Sequence, residues 1–205
     1  MKNKILSILS FCPVLSLILL LASIFNAQDL REPSQTTIGQ GESANRRVSD
    51  DFALTDQNGR RFHLSQLQGK VVLLFFGYTH CPDACPTTMA KLAHVSKLLG
   101  NDASTLMTLF VSVDPDRDKP EVLKSYLAYF RLNSIGLTGS KKEIDMVVAQ
   151  YGAKYEIEAS DSAAGYHVNH STDLYLLDSR GALVQTFGYS DDAKVIVDGV
   201  RKVIR

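Results

Sequence analysis

The sequence has little cysteine, little proline and no excess of charge of either sign. Only three cysteines and six prolines occur in 205 residues, which excludes a disulfide-dense small domain and a collagen-like repeat. The 22 basic and 22 acidic side chains cancel to a formal net charge of zero. A nucleic-acid-binding protein needs a basic face that displaces counterions from phosphates, so we expect no nucleic-acid partner.

No internal repeat is visible, which excludes solenoids and propellers. What the chain does contain is enough apolar material for a folded domain, since 45% of its residues are hydrophobic. A chain of this length and composition builds one domain with its own core rather than a disordered polymer.

The first segment is apolar and predicts a transmembrane helix. Residues 5–25 carry no charge and follow Lys2 and Lys4. At about 1.5 Å of rise per residue, a helix of this length spans roughly 30 Å, the thickness of the hydrocarbon core. The two lysines are expected to stay in the cytoplasm, which places the rest of the chain outside.

Residues 1–27 are therefore predicted to be a membrane anchor, with a cleaved signal segment as the alternative. Cleavage after Ala27 would leave Phe25 where a small residue is preferred. Residues 28–50 are polar and predict a flexible linker. The predicted location is the inner (cytoplasmic) membrane, with a single span and a soluble domain, residues 51–205, that faces the periplasm or the cell exterior.

That domain alternates predicted strands and helices in the order of a thioredoxin-like α/β fold, a sheet with flanking helices. Continuous apolar runs indicate buried strands, and apolar residues at helical spacing indicate helices. The predicted strands are 52–54, 61–64, 71–78, 106–113, 175–177 and 183–187. The predicted helices are 86–99, 120–130, 141–150 and about 192–203.

Cys81 and Cys85 lie where the first long strand ends and a helix begins. Open α/β sheets bind ligands at this place, and a helix N-terminus favours a thiolate. Two neighbouring thiolates form a disulfide or bind a soft metal ion. A purely structural disulfide is the alternative, but it would close a very small loop and restrict the unfolded chain little.

The surroundings of the two cysteines differ from those of thioredoxin-type reductants. Three residues separate the cysteines here, whereas such reductants have two. They also carry a cis-proline before a late strand, and no proline precedes the late hairpin of this chain. Residues 166–171 (YHVNHS) place a histidine in that region instead.

Three segments resemble the motif blocks of the Sco/SenC family, in the family's order: 76–86 (FGYTHCPDACP), 111–118 (VSVDPDRD) and 169–178 (NHSTDLYLLD). The resemblance extends from about residue 50 to the C-terminus, and an N-terminal anchor is also typical of the family. It implies a thioredoxin-like fold and copper delivery to the CuA centre of cytochrome c oxidase. The copper ligands carried over by motif are Cys81, Cys85 and His170. Ala84 departs from the family, which often has a β-branched residue there.

The residue chemistry is consistent with this implication. Thiolates select Cu(I), imidazole suits either oxidation state of copper, and a closed zinc site would lack a fourth ligand. If residues 166–171 are extended, their odd spacing puts His167 and His170 on opposite faces. We expect His167, His80 and His63 not to be ligands.

One further carboxylate, Asp114, is predicted at the end of the second buried strand. It either orients a ligand or docks a partner, or else it caps the Asp-Pro turn. Asp116, Arg117 and Asp118 are expected to form a solvated loop face.

Two functional hypotheses follow. The first is a copper metallochaperone that has the oxidase subunit II, a copper-donor protein and a thiol reductant as partners. The second is a membrane-anchored thiol–disulfide oxidoreductase that reduces the cysteines of the oxidase copper site through the redox-active pair Cys81 and Cys85. We expect no other enzymatic activity. A thiol peroxidase has no support in the sequence beyond the fold.

The predicted anchor is testable by cell fractionation. We expect the full-length chain in the membrane fraction, resistant to salt and alkaline washes, because residues 5–25 are long and apolar enough to span the bilayer. A soluble mature form that begins near Gln28 would instead show cleavage of a signal segment.

Overall fold

The computed structural model describes residues 51–160 and 165–204 of the chain. The predicted anchor, residues 1–27, and the predicted linker, residues 28–50, lie outside the described residues. None of the helices in the described ranges is long and apolar enough to cross a membrane.

Seven strands form one mixed sheet, and two further strands form a separate antiparallel ribbon. The strands are β1 (Ala53–Asp56), β2 (Arg61–His63), β3 (Val71–Gly77), β4 (Leu106–Ser112), β5 (Ser134–Thr138), β6 (Tyr155–Ala159), β7 (Tyr166–His170), β8 (Leu174–Leu177) and β9 (Leu183–Phe187). The main sheet has the order β2-β1-β5-β4-β3-β8-β9, and the ribbon pairs β6 with β7.

Four α-helices of the described residues agree closely with the predicted ones. They are α1 (Ala84–Leu99), α2 (Pro120–Phe130), α3 (Lys141–Gln150) and α4 (Ala193–Ile204). Helix α1 begins two residues earlier than predicted. Pro86 is compatible with this start, because the first N–H groups of a helix have no intrahelical partner to lose. Helix α3 begins with the capping box of Ser140 and Glu143.

Strand β3 lies at the centre of the core, and all seven of its residues are buried. It pairs in parallel with β4 on one side and antiparallel with β8 on the other. The continuous apolar run correctly predicted this strand, because a strand covered on both faces has no polar side to show.

This pairing brings three chain segments to one edge of the sheet. Parallel strands end at the same edge, so the segments that follow Gly77 and Ser112 start side by side, and these two residues are paired in register. Strand β8 runs the opposite way and therefore begins at that edge, where Leu174 pairs with Phe75. The residues that precede β8 consequently arrive beside the residues that follow β3.

Strands β5, β6 and β7 were not among the predicted elements. Strand β5 is five residues long and contains a glycine, which weakens the pattern. In strand β6, Glu156 and Glu158 alternate with less polar residues. In strand β7, Val168 is the buried residue. Such a ribbon has too few apolar residues for a strand signal. The extended conformation that would separate His167 from His170 is nevertheless the one observed.

Candidate metal centre

Two cysteines and one histidine meet at this edge of the sheet. The sulfur atoms of Cys81 and Cys85 and a ring nitrogen of His170 lie within 4.8 Å of one another. Cys85 Sγ and His170 Nε2 are 3.4 Å apart. Three donors around one ion, at bond lengths of about 2.0–2.3 Å, lie about 4 Å from one another. The three side chains therefore fit a single metal ion after a small movement.

The local fold holds the two sulfurs at different depths. Cys81 lies in the loop before α1 and is partly exposed, whereas Cys85 lies in the first turn of α1 and is fully buried. The backbone N–H of Cys85 donates to Cys81 Sγ over 3.4 Å. A Cβ atom at Gly77 would lie 2.8 Å from Cys85 Sγ, so the end of β3 has room for the thiol only because residue 77 is glycine. Neither cysteine is in a disulfide.

His170 enters the site from the end of strand β7, and its ring is fixed on two sides. Its Nδ1 lies 2.9 Å from the carbonyl oxygen of Ser171, which can only accept a hydrogen bond. Nδ1 therefore carries a hydrogen, and Nε2 is the atom that presents a lone pair to the sulfurs when the ring is neutral. Phe75 and Tyr78 pack edge-on against the ring, with centroids 6.0 and 5.7 Å away.

The two thiols have opposite electrostatic environments. The Cys85 thiol donates to Cys81 and lowers the pKa of Cys81 to about 3, with the His170 ring and the backbone N–H groups of Cys85 and Asp83 adding to the effect against the opposing effect of burial. The contact with Cys81 and burial both raise the pKa of Cys85. The pair therefore holds one thiolate near the surface and one protonated thiol below it.

Asp114 lies near this site without touching the donor atoms. It is 1% exposed, accepts a hydrogen bond of 2.7 Å from the Tyr166 hydroxyl and pairs with the Arg117 guanidinium. Its backbone oxygen also accepts from the N–H of Asp118, which closes the turn. Two roles were predicted for Asp114: capping the Asp-Pro turn, and orienting a ligand or docking a partner. Asp114 closes a turn and also contacts the strand that carries His170, so each role has a physical basis.

The expectation of a solvated loop face at residues 116–118 is wrong for two of the three residues. Asp116 is exposed, but Asp118 is 0% exposed and the Arg117 side chain is mostly covered. Burial raises the pKa of Asp118, against the hydrogen bonds from Thr79 and Ser112. Their burial is not predictable from this charged segment because it also depends on Thr79 and Tyr166, which lie 39 and 49 residues away along the chain.

The other histidines lie outside the donor group. His167 points away from it and contacts Glu158 at 2.9 Å. His80 is half-exposed, with Nδ1 3.8 Å from Asp118, and His63 is half-exposed beside Asp51. Among the described residues, Cys81, Cys85 and His170 are the only three potential ligands that come this close together.

A groove of about 620 Å³ opens beside the imidazole. His170 and Ser171 line one part of it, and residues such as Lys154, Tyr155 and Asp145 line the rest. Neither cysteine lines the groove, and Cys81 is partly exposed to solvent.

These features define a thioredoxin-like α/β domain with a cysteine–cysteine–histidine group at the ligand-binding edge of its sheet. The family model described as SCO1/SenC matches residues 40–205. The chain therefore belongs to the SCO1/SenC family, which confirms the resemblance seen in the sequence.

Curated relatives and solved structures agree with this family assignment. A "SCO2-like protein" of Rickettsia felis is 33% identical over 188 residues, which cover 90% of this chain and 92% of the relative. The crystal structure of Arabidopsis thaliana ScoI with copper bound superposes with a TM-score of 0.72 at 34% identity, covering 77% of this chain and 98% of ScoI. BsSco, a member of the Sco family of cytochrome c oxidase assembly proteins in which a disulfide switch was identified, has a TM-score of 0.61 at 26% identity, covering 77% and 93% of the two chains.

The asymmetry of the two thiols is testable by titration of the reduced protein. Because the pKa of Cys81 is about 3, we expect thiolate absorbance in the ultraviolet to persist at neutral pH and to disappear only as the pH falls toward that value. In Cys85→Ala the donor is lost, so the pKa of Cys81 should rise. Cys81→Ala is the matched control and should show no thiolate at neutral pH, since the remaining thiol is buried. A wild-type protein that forms no thiolate below pH 7 would contradict this assignment.

Proposed function

We propose that this protein is a copper metallochaperone that delivers copper to the CuA site of cytochrome c oxidase during assembly of the oxidase. The observation that carries the proposal is the convergence of Cys81, Cys85 and His170 on one point at the sheet edge. The copper bound to the related ScoI supports the choice of metal. In this proposal copper is cargo, and no catalysed reaction is required.

The donor set is suited to holding and releasing a soft ion. Once Cys85 loses its proton on metal binding, two thiolate sulfurs favour Cu(I), and the Nε2 of His170 adds a neutral nitrogen that suits either oxidation state of copper. Three protein ligands leave room for an incoming ligand, so copper can pass to a recipient by stepwise exchange. The groove beside His170 and the exposed edge of Cys81 are the two approaches for such a recipient.

The partners of this function are part of the proposal. Subunit II of the oxidase receives the ion, a separate copper-donor protein supplies it, and a thiol reductant keeps the two cysteines reduced. The predicted anchor would hold the domain at the inner membrane beside its client, with the domain on the periplasmic or outer side. Copper passes directly between proteins there.

A thiol–disulfide oxidoreductase is the second candidate, favoured by the paired thiols themselves. Cys81, with its pKa of about 3, is the exposed thiolate, and Cys85 is the protected thiol beneath it. In this reaction Cys81 would attack a disulfide of the client and release one client thiolate. Cys85, whose proton passes to that released thiolate, would then attack the Cys81 sulfur of the mixed disulfide and release the second client thiolate, giving the Cys81–Cys85 disulfide and a client with both cysteines reduced. The disulfide switch described for BsSco supports this alternative.

The variant His170→Ala separates the two candidates. It removes one copper ligand but leaves both thiols able to exchange electrons. We expect a loss of Cu(I) affinity of about tenfold or more, together with little change in the Cys81–Cys85 reduction potential. The measurements are an anaerobic competition titration with a chromophoric Cu(I) ligand and equilibration with a reference dithiol, both on the soluble fragment.

Cellular oxidase activity then decides which property is essential. Oxidase assembly should fail with both His170→Ala and Cys85→Ala if copper delivery is the function. The matched control is His167→Ala, which removes a histidine from the opposite face of β7 and should assemble oxidase normally. A fully active oxidase with His170→Ala and none with Cys85→Ala would make the redox reaction the essential one and overturn the proposal.

A further inference from the structure

One short turn contacts both of the chain segments that carry the donor group. Residues 114–118 are separated from β4 by Val113 alone, and the backbone N–H of Val113 donates to the carbonyl of Gly77 at the end of β3. The turn is closed by the N–H of Asp118, which donates to the Asp114 carbonyl over 2.9 Å. Its two adjacent charged side chains, Arg117 and Asp118, then contact different segments of the chain.

Asp118 holds the segment that leads into Cys81. Its carboxylate accepts hydrogen bonds from the Thr79 N–H at 2.9 Å, from the Thr79 hydroxyl at 2.6 Å and from the Ser112 hydroxyl at 2.7 Å. Since the carboxylate is fully buried, losing these donors would leave an uncompensated charge, which is strongly unfavourable. The position of Thr79, two residues before Cys81, is therefore tied to the turn.

Arg117 holds the strand that carries His170. Its Nη1 donates to the carbonyl oxygen of Tyr166 at 3.0 Å, and its guanidinium lies 3.6 Å from the centroid of the Tyr166 ring. The same guanidinium pairs with Asp114, which in turn accepts from the Tyr166 hydroxyl. Tyr166 is thus fixed at its backbone, ring face and hydroxyl, four residues before His170 on strand β7.

Residues further along the two segments contact each other as well. The Val168 N–H lies 3.4 Å from the Tyr78 hydroxyl, and the Arg117 guanidinium lies 5.7 Å from the centroid of the Tyr78 ring. The turn therefore belongs to one connected polar network that spans from the end of β3 to β7. Within this network Tyr78 reaches the potential ligands directly, because its ring packs edge-on against His170 and its carbonyl oxygen accepts from the Cys81 N–H.

We infer that Asp118 and Arg117 are positioning residues that set the distance between the thiols and the imidazole, Asp118 through the cysteine loop and Arg117 through strand β7. The inference rests on the proposed copper site for its affinity readout. Groups that orient ligands in this way typically change metal affinity by about 10–100-fold when they are removed.

The two residues should have different effects, because Asp118 hydrogen-bonds the cysteine loop whereas the hydrogen bond of Arg117 across the site goes to strand β7. Asp118→Ala should weaken Cu(I) binding by about tenfold or more and also shift the equilibrium of the Cys81–Cys85 pair with a reference dithiol. Arg117→Ala should weaken Cu(I) binding to a similar degree while shifting that dithiol equilibrium less, since Arg117 meets the cysteine segment only through the Tyr78 ring. Asp118→Asn should recover part of the loss, since its amide oxygen still accepts from the Thr79 N–H.

The matched control is Asp178→Ala. The Asp178 carboxylate also closes a turn, accepting from the N–H groups of Arg180 and Ala182 at 2.9 Å, but it lies in the β8–β9 hairpin. It should change stability without changing copper affinity or the dithiol equilibrium. All variants are compared at a temperature below each unfolding transition. Circular dichroism verifies that each variant is folded.

Two results would overturn the inference: unchanged Cu(I) affinity in both variants, or an equal shift of the dithiol equilibrium in Arg117→Ala and Asp118→Ala. If wild-type protein binds no Cu(I), the proposed function fails instead. The inference is then still decided by the dithiol equilibrium of Asp118→Ala and by the NMR shifts of the His170 ring in Arg117→Ala, which should move. If the His170 ring shifts do not change in Arg117→Ala and the dithiol equilibrium does not change in Asp118→Ala, the inference is wrong.

Discussion

The complete burial of strand β3 fixes where every potential donor atom lies. Because all seven residues of the strand are covered, its register with β4 and β8 is strongly specified, since a slip of one residue would break the packing on both faces. The parallel partner delivers the turn at 114–118, and the antiparallel partner delivers the segment that follows His170. Gly77 completes this arrangement by leaving space for the Cys85 sulfur.

Buried charge supplies the second level of organisation. Asp114 and Asp118 are almost inaccessible, and a buried carboxylate is tolerated only where it is paired or accepts hydrogen bonds. The partners include nearby residues, Arg117 and Ser112, and two from distant parts of the chain, Thr79 and Tyr166, which tie the turn to this one arrangement. The donor atoms lie outside this network and contact one another, with Cys85 Sγ 3.4 Å from His170 Nε2. The buried network thus surrounds the proposed metal site with contacts that do not depend on a bound ion.

Much of this was predictable from sequence, for identifiable reasons. Buried strands and amphipathic helices have strong periodic patterns, so β3, β4 and helices α2 and α3 were predicted closely. Cys81 and Cys85 could be placed because they lie between the predicted strand 71–78 and the predicted helix 86–99. The β6–β7 ribbon was not predicted because its side chains are mostly polar. Asp118 and Arg117 were placed wrongly because their burial depends on Thr79 and Tyr166, 39 and 49 residues away along the chain.

The central claim is that two thiolates and one imidazole form a single metal site, and X-ray absorption at the copper edge tests it most directly. The reduced protein, loaded anaerobically with a single equivalent of Cu(I), should show sulfur scattering from Cys81 and Cys85 together with imidazole scattering from His170. The imidazole contribution should disappear in His170→Ala while the sulfur contribution remains. Identical spectra for the two proteins, or copper bound by sulfur alone in both, would contradict the account.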